Sequence, residues 1–113
     1  MEKVNEFELK YRNGDSGVKY MFRGPHTDWG VLRFLPGQEL GYHIHERVEE
    51  TFYFLRGTPK MIVDGKEYRV KVGDAFRLSP GEKHNIINDT QEPTDAVFIK
   101  HIYDPKDKVD VKA

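Results

Sequence analysis

The chain of 113 residues contains no cysteine. Disulfides, thiolate metal sites and cysteine nucleophiles are thereby excluded, and the absence agrees with a reducing compartment. Long apolar runs are missing as well. No window approaches the roughly 20 apolar residues that a bilayer-spanning helix needs. The N-terminal MEKVNEFELKYRNG is charged and has no continuous apolar stretch, so it does not read as a signal peptide. Nor is there a charge imbalance. The formal net charge is −1, which gives no reason to expect a nucleic acid or an acidic membrane surface as partner. These absences together predict a soluble cytoplasmic protein.

Helical periodicity is scarce too. Short runs of β-branched and aromatic residues recur instead, separated by Gly, Pro and Asp. They are GVKYMF (17–22), WGVLRFL (29–35), GYHIH (41–45), ETFYFLR (50–56), KMIVD (60–64), KEYRVKV (66–72), AFRLS (75–79), HNIIN (84–88) and DAVFIKHIY (95–103). Eight or nine strands at this spacing favour a sandwich, a jelly roll or a small barrel. No stretch supplies the crossover helices of a parallel sheet. The length suits one domain over residues 1–113, and seven Phe, six Tyr and one Trp argue for an ordered core. Asp64-Gly65 is a two-residue hairpin signal that predicts antiparallel pairing of 60–63 with 66–72. The tail PKDKVDVKA alternates weakly. Lys106, Asp107, Lys108 and Asp110 are expected to solvate it, leaving it frayed or capping an edge.

The titratable chemistry concentrates in GYHIHERVEETFYFLRG (41–57). In a strand, His43 and His45 point to one side and Ile44 to the other. The charged ERVE reads as a turn that returns the chain, so that Glu50 can meet the two imidazoles. Glu49, by parity, faces away. Two neutral imidazoles and a carboxylate suit a borderline transition metal. The bland alternatives are hydrogen-bonded strand histidines and a Glu50 paired with Arg47 or Lys60. His84, after the Pro80-Gly81 turn, adds a further nitrogen from a second segment.

Taken together, these residues resemble the cupin superfamily. The first cupin motif is matched by Gly37-QELGY-His43-Ile-His45-ERVE-Glu50-TFYFLR-Gly57, and the second by Gly73-Asp74-AFRLS-Pro80-Gly81-EK-His84-NII-Asn88. One departure stands out: the family places proline two residues before the second motif's Gly81, where this chain has Ser79 and moves the proline to position 80. The resemblance implies an all-β fold, the double-stranded β-helix (jelly-roll) cupin barrel. It also implies a metal held by His43, His45, Glu50 and His84, one divalent transition ion per chain (Mn, Fe, Ni, Co, Cu or Zn), and a homodimer.

Supporting residues follow from the same alternation. Gly37, Gly57, Gly73 and Gly81 read as turn or bulge glycines, and Asn88 as a structural hydrogen-bonding residue. Phe52, Phe54 and Ile86 should line the interior. His26 and Trp29 flank an early strand, with His26 expected on the surface. In IKHIY either Lys100 or His101 faces inward. Lys100 does so if Ala96 and Phe98 line the cavity, where it can bind a substrate carboxylate; His101 would instead be a base. The function expected is a metal-dependent enzyme, of oxygenase or isomerase type, acting on a small oxygenated molecule. The alternatives are a non-catalytic domain binding or sensing a small ligand, and a purely structural metal site.

Overall fold

Alternation in the sequence becomes two facing walls in space. A computed structural model describes residues 1–112 and contains ten strands: β1 (Gly17–Arg23), β2 (Thr27–Phe34), β3 (His43–His45), β4 (Glu49–Arg56), β5 (Lys60–Val63), β6 (Lys66–Arg69), β7 (Ala75–Leu78), β8 (His84–Ile87), β9 (Thr94–His101) and β10 (Lys108–Asp110). They form two five-stranded antiparallel sheets, ordered β1-β2-β9-β4-β7 and β10-β3-β8-β5-β6. Among the described residues the helical content is one 3-10 turn, Glu6–Glu8. This is the all-β jelly roll, the double-stranded β-helix that the motifs imply.

The first sheet supplies the interior in rows. Register places Asp28 opposite Lys100 and Lys100 opposite Glu50. The next inward row is Gly30, Phe98 and Phe52, and the third is Leu32, Ala96 and Phe54. From the second sheet Met61 and Ile86 close on these rings, joined by Val70 and Leu78. Each such apolar side chain contributes roughly 1.5–3 kcal/mol on burial. Gly30 is dictated by packing: a Cβ there would lie 2.1 Å from the Lys19 carbonyl oxygen. That leaves room for the bulge in β1 between Tyr20 and Phe22. Gly57 is required twice over, by a φ of +86° and by the Pro93 carbonyl 2.6 Å from a Cβ.

The expected hairpin forms at Asp64-Gly65, with φ of 48° and 83°. The pairing is antiparallel as expected but shorter: Lys60–Val63 pairs with Lys66–Arg69, the Val70 N–H donates to the Pro59 carbonyl at 2.9 Å, and the Val70 side chain is fully buried. The tail is also more structured than a solvated end. Lys108–Asp110 forms β10 against β3, and Asp107, expected in solvent, is buried. No helix among the described residues is long and apolar enough to cross a membrane.

Candidate metal centre

Strand pairing brings the four predicted ligands together. His43 and His45 share the inner face of β3, since the pattern there is buried, intermediate, buried. His84 opens β8 directly opposite His43. Glu50 reaches them from β4 in the other sheet, while Glu49 is less buried on the opposite parity. The four side chains are at most 4% exposed, so their polar atoms are cut off from bulk water. Their donor atoms all lie within 4.8 Å of one another. Glu50 Oε1 sits 3.5 Å from His43 Nε2, 3.0 Å from His45 Nε2 and 3.3 Å from His84 Nε2. The ordinary ion-pair partners are otherwise engaged: Arg47 with Asp104 and Lys60 with Glu67.

The outer ring nitrogens decide what the inner ones can do. His43 Nδ1 donates to the Gly41 carbonyl at 3.1 Å, and His84 Nδ1 to the Glu82 carbonyl at 2.9 Å. A carbonyl oxygen only accepts, so both Nδ1 atoms carry the hydrogen. In the neutral ring Nε2 is then a bare lone pair aimed at Glu50. Burial, opposed by Glu50 and reinforced by His84, pushes the His43 imidazole toward the neutral form. Burial alone would raise the Glu50 carboxyl. Lys100 and every ring nitrogen that carries a proton toward Oε1 work against that, and the balance holds the group well below the usual carboxylate range. Lone pairs and a carboxylate converging at these distances are an arrangement that a cation between them would satisfy. Three imidazoles and one carboxylate are a donor set that fits a borderline divalent transition ion; the group can hold a metal.

His45 differs from its neighbours. Its Nδ1 is buried without a hydrogen-bond partner, and the nearest acceptor is Asp107 Oδ2 at 3.9 Å. Asp107 accepts from the backbone N–H of Arg47 and Val48, both at 2.9 Å. Burial works against its ionisation. Those two N–H groups, aided by His45 and Arg47, more than compensate and lower its pKa. Asn85, fully buried, accepts from the Gly41 N–H at 2.8 Å and donates to Glu39 at 3.0 Å. It thereby fixes the approach to β3. Asn88 donates to the carbonyls of Phe34 and Glu92 and stays away from the cluster. Neither Asp107 nor Asn85 was singled out from sequence. Asn85 lies beside His84 in a buried strand, which was the one available signal; Asp107 sat in a charged tail and offered none.

A cavity of about 240 Å³ adjoins the cluster, lined by His43, His45 and Glu50 and by Tyr20, Asp28 and Lys100. Lys100 shares the inward parity of Ala96 and Phe98, and its ammonium donates to the Tyr20 hydroxyl at 2.9 Å. His101 is exposed on the other face, and His26 is exposed as expected. Polar groups outside the ligand set therefore face the same space as the cluster.

Comparison with known proteins agrees with this geometry. Over 57 residues the chain is 35% identical to the oxalate-binding protein of Thermotoga maritima, taking in 50% of this chain and 47% of that one. Over 69 residues it is 28% identical to the tetracenomycin polyketide synthase protein TcmJ of Streptomyces glaucescens, 61% of this chain and 46% of that one. The chain thus spans about half the length of the curated relatives it matches. A conserved Klebsiella pneumoniae protein with a double-stranded β-helix domain superposes with a TM-score of 0.85 at 20% identity, covering 100% of this chain and 99% of that one. At that identity the likeness is one of fold. The family model described as the cupin domain matches residues 30–100, a span running from within β2 to within β9 that includes all four clustered side chains. The chain belongs to the cupin family.

Proposed function

We propose that this protein is a metal-dependent enzyme of the small cupin type, acting on a small oxygenated molecule by oxygenation or isomerisation. His43, His45, Glu50 and His84 are the ligands in this reading, for one divalent transition ion per chain. The observation that carries it is the convergence of three Nε2 atoms on Glu50 Oε1 beside an open cavity. A metal bound there would act as a Lewis acid toward a substrate oxygen or as a site for O₂ chemistry. The chain's own part is to orient the His43 and His84 imidazoles through the Gly41 and Glu82 carbonyls, so that Nε2 faces the cluster. Phe52 and Phe98 exclude water from the inner side, and Lys100 and Tyr20 offer polar contacts to a bound molecule.

Two measurements test this. Untagged protein should carry about one metal per chain by elemental analysis, and His43→Ala with His45→Ala should remove it. Persistence of stoichiometric metal in the double variant would sink the ligand assignment. Turnover is then measured with iron and with manganese over a panel of enediols, catechols, sugars and α-keto acids. A second reading, a non-catalytic ligand-binding cupin, draws support from the relative named for oxalate binding. Binding of panel members without turnover would favour it. A closed structural site is the least supported, because the cluster borders a cavity instead of being sealed.

A further inference from the structure

Three adjacent strands carry a row of alternating charge into the cavity. Asp28 on β2 pairs in register with Lys100 on β9, and Lys100 with Glu50 on β4. Side chains directly opposite one another stand about 4.5–5.5 Å apart at Cβ, so Lys100 lies beside the cluster. The acids of this cavity already have partners. Asp28 accepts from the Gly24 N–H at 3.0 Å and pairs with Arg23 at 3.5 Å. Asp104 is held by Arg47, and Glu50 Oε1 is turned to the three Nε2 atoms as a ligand of the cluster. Lys100 is the exception. Among the described residues it makes no ion pair, and its hydrogen bond goes to the neutral Tyr20 hydroxyl. Tyr20 is itself held edge-on against Phe98, with ring centroids 5.2 Å apart. The ammonium is thus positioned and partly buried, flanked in register by Asp28 and Glu50 but in direct contact with neither carboxylate.

The charge balance points the same way. A divalent ion with one carboxylate ligand retains positive charge, and Arg12, Arg23, Lys100 and Lys108 line the cavity against Asp28, Glu50 and Asp104, so the occupied site keeps an excess of positive charge. The cavity is small, about 240 Å³, below the roughly 300–1,000 Å³ of sites for drug-sized ligands. We infer that Lys100, oriented by Tyr20, is the anchor for a substrate carboxylate, and that the ligand class is a small α-hydroxy or α-keto acid. The carboxylate meets the ammonium while the α-oxygen faces the His43–His45–Glu50–His84 cluster. This inference rests on the metal-centre reading for the second contact, and on the β2–β9–β4 register alone for the first.

The test uses glycolate and its uncharged analogue glycolamide, titrated calorimetrically into manganese-loaded protein. Lys100→Met should weaken glycolate binding by roughly tenfold or more, with manganese content unchanged and glycolamide unaffected. Lys100→Arg should retain most of the glycolate affinity, since it keeps the charge. Tyr20→Phe, which leaves the charge and the ring in place, should weaken glycolate by a smaller factor. Lys108→Gln, at the cavity rim, should change it by less than about threefold. Equal glycolate affinity in wild type and Lys100→Met would overturn the inference. So would an equal loss in Lys108→Gln, which would indicate a diffuse field in place of a subsite. If wild-type protein takes up no manganese, the metal-centre reading fails by itself. Glycolate titrated into the metal-free variants then still decides the role of Lys100.

Discussion

The two ends of the barrel interior are built from the same strands and do opposite things. At one end β2, β9 and β4 present Asp28, Lys100 and Glu50; four residues further into β4, Phe54 sits with Leu32 and Ala96. Four residues of strand span about 13 Å. Within that distance the interior passes from a hydrogen-bonded ionic cluster to a dry aromatic core. The Phe end gains from burial without conditions. The His end pays a desolvation penalty unless a cation and its hydrogen bonds offset it. Stability and chemistry are thus separated along the strand axis, and each can be perturbed with limited damage to the other.

The strongest way to probe that separation is at the apolar end. Phe54→Ala should destabilise the fold by about 3–5 kcal/mol, measured by urea denaturation. The fraction that remains folded should keep its metal stoichiometry. Next comes the polar end. Metal at about 1,000 times its dissociation constant should stabilise the wild type by roughly 4 kcal/mol, read as a rise in Tm, and His84→Ala should show no such rise. If His84→Ala gains as much as the wild type, the comparison between the ends breaks.

A third test lies between the two. Asp107→Asn weakens the acceptor for the Arg47 and Val48 N–H groups, which costs about 1–3 kcal/mol. It also removes the anion beside His45 Nδ1, and metal affinity should fall by roughly tenfold or more. A full loss of metal would instead mean that Asp107 organises the whole of β3. The smallest effect is expected at the exposed Arg69–Asp89 pair. The Arg69 guanidinium lowers the Asp89 pKa to about 2. A carboxylate with a lowered folded pKa adds stability above its unfolded value, near 3.8, and loses it as pH falls toward 2. Solvent screening limits the pair to at most about 1 kcal/mol. Asp89→Asn should therefore flatten the stability profile only between about pH 4 and 2, with metal content untouched.

The site was more legible than its surroundings. His43, His45 and Glu50 lie within eight residues of one another, where strand parity and one turn determine which way each points. His84 stands in a second segment after the Pro80-Gly81 turn; nothing local ties it to β3, and the resemblance strengthened its assignment as a ligand. The strands were found from their alternation, but not all of their ends. Strand β6 ends at Arg69, although Val70 still bonds the Pro59 carbonyl and buries its side chain in the core. The tail misled in the opposite direction. Charged residues at high density read as solvated, and neither the burial of Asp107 nor the pairing of β10 with β3 has a local signature.

By itself the sequence determined the pleat parity of the two histidines, the hairpin at Asp64-Gly65 and the motif spacing that places the chain among cupins. These are short-range matters, governed by a side-chain period of two and by turn residues that tolerate positive φ. Tertiary structure alone decided that Lys100 and not His101 faces the cluster, that Gly41 and Glu82 hold two imidazoles by their outer nitrogens, and that Asp107 folds back beside the third. The first and last depend on register between segments distant in the chain; the Gly41 and Glu82 contacts span only two residues, but the ring orientations they fix follow from where the cluster lies. A shift of one residue in that register would invert every facing while leaving the local pattern unchanged.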